Sequence, residues 1–195
     1  CRQWKGATDR MKICNNYVLV NSLIDATTAL TQYSGKSKIV AGGTDLFLEI
    51  KHGLHTPVDT LIDITKIPDL LKLEISDNKL FIGAAVPVSR ITNSPLVQYH
   101  AKALAEATGL IGGPQVRNVA TLGGNVAHAL PAADGMIALA SLNATALICN
   151  IEGFYETDIL NLFKGPGISN LLNNEFIVAF KLDLKGIGEA SAFDR

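Results

Sequence analysis

Apolar and polar positions alternate along the chain with two different periods, and the change from one to the other outlines its elements. Residues 22 to 33, "SLIDATTALTQY", place Leu23, Ala26, Ala29, Leu30 and Tyr33 on one helical stripe, behind a serine able to cap the first turn. "SKIVA" at 37 to 41 then reads as a short buried strand, broken by Gly42 and Gly43. Beyond the break, apolar Leu46, Phe47 and Ile50 against polar Glu49 and Lys51 suit a two-turn helix that starts at Thr44 or Asp45. The unit is helix, strand, glycine break, helix.

The next stretch changes period. Residues 59 to 64 read as a strand, and "LLKLEISDNKLFIGAAV" reads as a hairpin around Ser76, Asp77 and Asn78. Pro95 opens a long helix whose apolar face carries Leu96, Val97, Ala101, Leu104 and Ala105 and which ends at Gly109. A second glycine pair, Gly123–Gly124, lies in "VATLGGNVAH", and Pro131 starts another helix through Leu142. "TALIC" at 145 to 149 and "EFIVAFKLDL" at 175 to 184 are strands, the latter suited to an antiparallel sheet, and "GEASAFDR" reads as the opening of one more. The shift around residues 53 to 58, where Gly53 and Pro57 sit, divides the chain into lobes 11–56 and 57–195. Residues 1 to 10, aperiodic and ahead of Met11, read as an extension or a fragment end.

Composition narrows the function classes. The chain has 195 residues, 48% of them hydrophobic and 18% charged, enough for a sizeable core. A net charge of −1 without like-charge blocks gives no long-range attraction for nucleic acid or an anionic membrane. No apolar run is long enough to span a bilayer. Three scattered cysteines, Cys1, Cys14 and Cys149, point to a reducing cytoplasm rather than a secreted disulfide framework, and they are too few to ligate an iron–sulfur cluster, which needs four thiolates.

Common chemical motifs are missing too. His52 and His55 read as surface residues, with neither Cys-x-x-Cys nor His-Glu-x-x-His present. A Walker loop at Gly35-Lys36-Ser37 fails because Leu30 stands where the upstream glycine is required. Gly-x-Gly-x-x-Gly and Gly-x-Ser-x-Gly do not occur. The two glycine pairs remain. Each follows a strand-like run and precedes a small polar residue, Thr44 or Asn125, with Thr121 just ahead of the second. Successive backbone N–H groups in such turns can cradle a phosphate, and two cradles can share a pyrophosphate; tight turns account for the pattern equally well. Asp134 in "PAADG" is either a carboxylate favoured by a helix N-terminus or an acceptor for two ribose hydroxyls.

"AGGTDL" at 41 to 46 and "IGGPQVRNVATLGGNVAHALPAAD" at 111 to 134 resemble the FAD-binding subunit or domain of the molybdenum hydroxylases, the flavoprotein part of xanthine dehydrogenase, carbon monoxide dehydrogenase and related bacterial enzymes. The resemblance runs from about Met11 to the end. It implies an α+β, two-lobed fold of the PCMH/vanillyl-alcohol-oxidase type with FAD in the cleft. Carried over residue by residue, Ile39, Val40, Ala41, Gly42, Gly43, Thr44, Asp45 and Leu46, with Thr121, Leu122, Gly123, Gly124 and Asn125, would wrap the pyrophosphate. Asp134 would bind the adenosine ribose, and Ile111 and Ile177 would lie near the flavin.

The resemblance also implies partners. A molybdopterin-binding subunit would oxidise the substrate, a [2Fe-2S] subunit would relay electrons, and FAD would pass them to NAD+ or another acceptor, with no catalytic acid or base from this chain. Two departures qualify this expectation. The family's usual C-terminal domain is expected beyond Arg195, and Asp194 stands where the family often carries a lysine near the flavin. The alternative is a shortened FAD domain that serves as an assembly module without stable flavin.

Overall fold

The computed structural model describes residues 13 to 53 and 58 to 194; the readings of residues 1 to 10, Met11, His55 and Pro57 lie outside them. The first lobe contains β1 (Cys14–Leu19), α1 (Leu23–Gln32), β2 (Ser37–Val40), α2 (Thr44–Lys51) and β3 (Val58–Asp63). Its strands form a parallel sheet in the order β1-β3-β2. Helix α1 starts where its sequence predicts, with Ser22 Oγ accepting the Asp25 N–H at 3.0 Å. The central strand β3 begins beyond the boundary that the sequence places at residue 57, so the division between the sheets falls after Asp63. Strand β1 has no alternating pattern in the sequence to mark it. It is an edge strand whose Asn15, Asn16, Tyr17 and Leu19 are exposed, so burial imposes no alternation on its sequence. The Tyr17 hydroxyl donates to the Asp63 carboxylate, and that bond pushes the phenol up to about 12.

The second lobe opens with the hairpin of β4 (Leu73–Ser76) and β5 (Lys79–Gly83). Asp77 and Asn78 turn it at φ values of 50° and 57°, the two left-handed residues that a tight hairpin needs. Six helices follow: α3 (Val88–Thr92), α4 (Pro95–His100), α5 (Lys102–Leu110), α6 (Pro114–Arg117), α7 (Leu122–Ala127) and α8 (Asp134–Ser141). The chain then returns as β6 (Thr145–Asn150), β7 (Gly153–Asp158), the short pair β8 (Phe163–Gly165) and β9 (Ile168–Ser169), and β10 (Phe176–Asp183). The antiparallel sheet runs β4-β5-β10-β6-β7, so the last strand lies in its centre.

That position explains the composition of β10. Ile177, Phe180 and Leu182 enter the core beneath the helices, with Leu104, Leu122, Val126 and Leu139. Phe176, Val178 and Ala179 enter a second core with Val20, Ala26, Leu30 and Ile62 of the first lobe. Two neighbours, Val178 and Ala179, share one face because the register shifts between Ile177 and Ala179. The lobes therefore share apolar packing across the sheet that has β10 at its centre.

Several predicted elements differ. The helix expected from Pro95 to Gly109 breaks at Ala101, whose φ of −140° and ψ of 57° end α4 and begin α5. Ala101 is buried, and the break lets α5 lie against both α3 and α8, so packing overrides the continuous helical pattern. The helix expected from Pro131 begins at Asp134. Residues 184 to 194 form no strand. They lie over α5, where Ser191 Oγ accepts the Ala103 N–H at 3.1 Å and Glu106 accepts the Phe193 N–H at 2.8 Å.

Candidate functional site

Strand β2 ends at Val40, and the next three residues turn the chain into α2. Gly43 supplies the turn with a φ of 64°, a left-handed conformation that an L side chain adopts rarely. It offers no side-chain cap to α2. The N–H groups of Thr44, Asp45 and Leu46, in the first turn, have no intrahelical acceptor, so this helix start faces outward as a set of donors. Gly42 meets a different constraint. A Cβ built there would stand 2.3 Å from the Val119 carbonyl oxygen and 2.9 Å from Ala120 Cα. Gly42 is thus one of the points where the first lobe touches the second.

The facing wall carries the second glycine pair, and here the local geometry departs from the sequence reading. Gly123 and Gly124 are not a break after a strand but lie in the first turn of α7. Their backbone donors are engaged. The N–H of Leu122 reaches Val86 O at 3.4 Å, that of Gly123 reaches Ala84 O at 2.9 Å, and that of Gly124 reaches Thr121 Oγ at 3.1 Å. The two glycines also differ from each other. A Cβ on Gly123 would meet Ala84 Cβ and O at 2.7 Å, so its absence lets α7 dock on the segment after β5. A Cβ on Gly124 would meet only Thr121 Oγ, at 3.1 Å, and would otherwise project into open space. Packing therefore explains Gly42, Gly43 and Gly123; it does not require a glycine at 124.

Between these walls lies a cleft of about 440 Å³ that adjoins a second of about 300 Å³. The larger part is lined by Ile39 through Leu46, Ile111, Thr121, Gly124, Asn125 and Asp134, so the structure brings together segments far apart in the chain. The smaller part adds Gly123 and Ile177. Gly124 lines both. Leu122 alone among the sequence-identified residues lines neither; it is fully buried in the core beneath the helices. Ile111 is held in place by Arg117, whose guanidinium donates to the carbonyls of Ile111 at 3.3 Å and Gly112 at 2.6 Å. Asp134 is buried at the start of α8, and Asn125 Oδ1 is a buried acceptor without a hydrogen-bond partner among the described residues. Asp194 lines neither part, because the segment that carries it is held on α5.

The lining is unusual in charge for a site that would receive a phosphate. Asp45, Glu49, Asp134 and Glu175 face Lys38 and His128. The guanidinium of Arg117 is occupied by carbonyls, so the donors that the lining offers an anion include those of the α2 start and the Lys38 ammonium. A pyrophosphate fits this arrangement through backbone N–H groups on one wall and the uncovered surface of Gly124 on the other. Sequence reasoning passed over Lys38, Glu49 and His128. Glu49 lies one helical turn beyond Asp45 and so on the same face of α2, a signal that was present in the spacing. His128 had no such signal, since its Nε2 lies 2.7 Å from Glu49 Oε1 across a separation of 79 residues.

Among the described residues no group of three or more His, Cys, Asp or Glu is arranged to hold a metal, and no helix is long and apolar enough to cross a membrane. Residues 10–182 match the family model described as the FAD binding domain in molybdopterin dehydrogenase. The FAD subunit of nicotinate dehydrogenase from Eubacterium barkeri is 34% identical over 176 residues, 88% of this chain and 59% of the relative. The medium chain of carbon monoxide dehydrogenase from Hydrogenophaga pseudoflava is 30% identical over 179 residues, 92% of this chain and 62% of the relative. A solved structure of carbon monoxide dehydrogenase from Hydrogenophaga pseudoflava superposes with a TM-score of 0.85 at 31% identity, over 89% of this chain and 60% of that one. The chain thus spans about three fifths of the length of these relatives.

Proposed function

The chain belongs to the family of FAD-binding domains of the molybdopterin dehydrogenases, and from that premise we propose that it holds FAD along the cleft as the electron-transfer component of a molybdenum hydroxylase. The two-lobed α+β fold is the PCMH-type fold of the matched structures. The observation that carries the reading is Gly124, a glycine with no packing reason to be one, placed where the two parts of the cleft meet. The first-turn donors of α2 would take the pyrophosphate, and Gly124 would let it approach α7 without a Cβ in the way. The Asp134 carboxylate, with two acceptor oxygens at the adjoining helix start, would receive the adenosine ribose hydroxyls. Ile111 and Ile177 would give the flavin apolar neighbours.

Bound FAD supplies the redox chemistry, and this chain supplies position, electrostatics and exclusion of water. Electrons would arrive from the [2Fe-2S] clusters of a partner subunit, reduced in turn by a molybdopterin-binding subunit, and leave to NAD+ or another acceptor. Relatives named for nicotinate, xanthine and carbon monoxide share this domain, which supports a substrate chosen elsewhere in the complex. The free Cys14 and Cys149, the latter with its thiol pushed up by burial, suit a reducing cytoplasm.

The reading is tested by colour and by titration. Purified protein is expected to be yellow with a flavin spectrum. A preparation that stays colourless after incubation with FAD would overturn the proposal and leave the flavin-free assembly module in its place. Asp134→Asn is expected to weaken FAD about tenfold, the loss of one charge-assisted bond, while leaving the affinity for FMN unchanged because FMN lacks the adenosine. Equal weakening of both ligands would place Asp134 outside the ribose site.

A further inference from the structure

The cleft has two walls on different lobes, and one side-chain pair joins them directly. His128 caps the C-terminal end of α7, and its backbone N–H donates to Gly124 O at 3.0 Å. Its ring reaches across to α2, where Nε2 lies 2.7 Å from Glu49 Oε1 and Nδ1 lies 4.0 Å from Asp45 Oδ2. His128 is thus tied through its backbone to the residue whose bare surface faces the cleft. Through its ring it is fixed to the helix whose first turn offers the donors. We propose that the His128–Glu49 pair is a strut that sets the separation of the two walls, which makes His128 a positioning residue for FAD; the inference rests on the FAD reading above.

Three observations support the strut. The side chains of His128 and Glu49 are 25% and 24% exposed, so the bond lies partly out of water, where it is stronger than a surface pair. The other ionisable groups of this part of the cleft are Asp45 on α2, Asp134 at the start of α8 and Lys38 on β2, and only Lys38 among them is a cation. The imidazole stands between these α2 carboxylates and α7, and it occupies Glu49 Oε1, a carboxylate oxygen that would otherwise face the cleft. Finally, the α2 donors and the Gly124 surface act on one ligand only if their spacing is held, and the strut is attached one turn from each.

The test is a double-mutant cycle read in two ways, on FAD dissociation and on urea unfolding of the flavin-free protein. His128→Ala and Glu49→Ala are each expected to raise the FAD dissociation constant about tenfold, with the double variant no more than about twofold beyond either single one. His128→Gln, which keeps a side-chain N–H donor within reach of Glu49, is expected to recover most of the affinity. A merely structural pair would shift the urea midpoint and leave the dissociation constant of the folded protein unchanged; that result would overturn the proposal. Effects that multiply in the double variant would overturn it as well. Wild-type protein that takes up no FAD would remove the FAD reading itself. Failure of the strut alone shows instead as wild-type and variants binding FAD alike.

Discussion

Gly124→Val is expected to yield a folded protein that no longer retains FAD. The argument is one of exclusion. A Cβ at 124 meets only the Thr121 hydroxyl, 3.1 Å away, which must give by a few tenths of an ångström. The backbone there is helical and gains from replacing glycine by any residue except proline, by up to about 1 kcal/mol for alanine. The added atoms instead fill the junction of the two cleft parts. Overlap with a ligand seated there costs about 3 kcal/mol, roughly a hundredfold in the dissociation constant. Gly124→Ala should follow at smaller magnitude. Flavin absorbance after gel filtration reads the loss, and circular dichroism with a thermal melt reads the fold. A Gly124→Val protein that keeps its flavin would show that the surface of α7 is not part of the site.

Gly42→Ala is expected to fail in the opposite way, losing stability and FAD together. Its Cβ would stand 2.3 Å from Val119 O and 2.9 Å from Ala120 Cα. Both are backbone atoms, with no flexible end to swing aside, so the segments must part. Relief by backbone movement costs about 3 kcal/mol, at the upper end of ordinary overpacking. The displaced segment leads directly into Thr121 and α7, so the cleft widens as the contact opens. A lower urea midpoint with unchanged slope, together with weaker FAD binding, is the expected pattern. Normal stability in this variant would mean that the approach of Gly42 to Val119 is not tight in solution. The pair of substitutions separates two meanings of glycine that look identical in the sequence.

How much of this was legible follows from the range over which each signal acts. The Ser22 cap, the start of α2 after Gly43 and the Asp77–Asn78 turn are local, and each stands where its residues predict. The long run "IGGPQVRNVATLGGNVAHALPAAD" identifies the family. Features decided by tertiary approach were not legible. The pattern from Pro95 to Gly109 is continuous in the sequence, yet packing breaks it at Ala101. Strands β1 and β7 are edge strands that expose Tyr17, Leu19, Phe154 and Tyr155, so neither shows the alternation that burial imposes. Gly123 and Gly124 read as equivalent until their surroundings are known, and the bond between His128 and Glu49 leaves no trace in local spacing.

The placement of β10 bears on how a dinucleotide enters. In many two-lobed proteins the lobes rotate apart about a polar, weakly packed junction. Here the junction is a shared apolar core, and the strand whose faces supply both cores forbids such a hinge without exposing Val178, Ala179 and Phe176 to water. The frame is therefore stiff, and entry belongs to its rim. That rim carries residues 112 to 116 and 130 to 132, which are exposed and lie outside both cores. On the FAD reading, flavin uptake and loss are expected to depend on that rim rather than on any parting of the lobes.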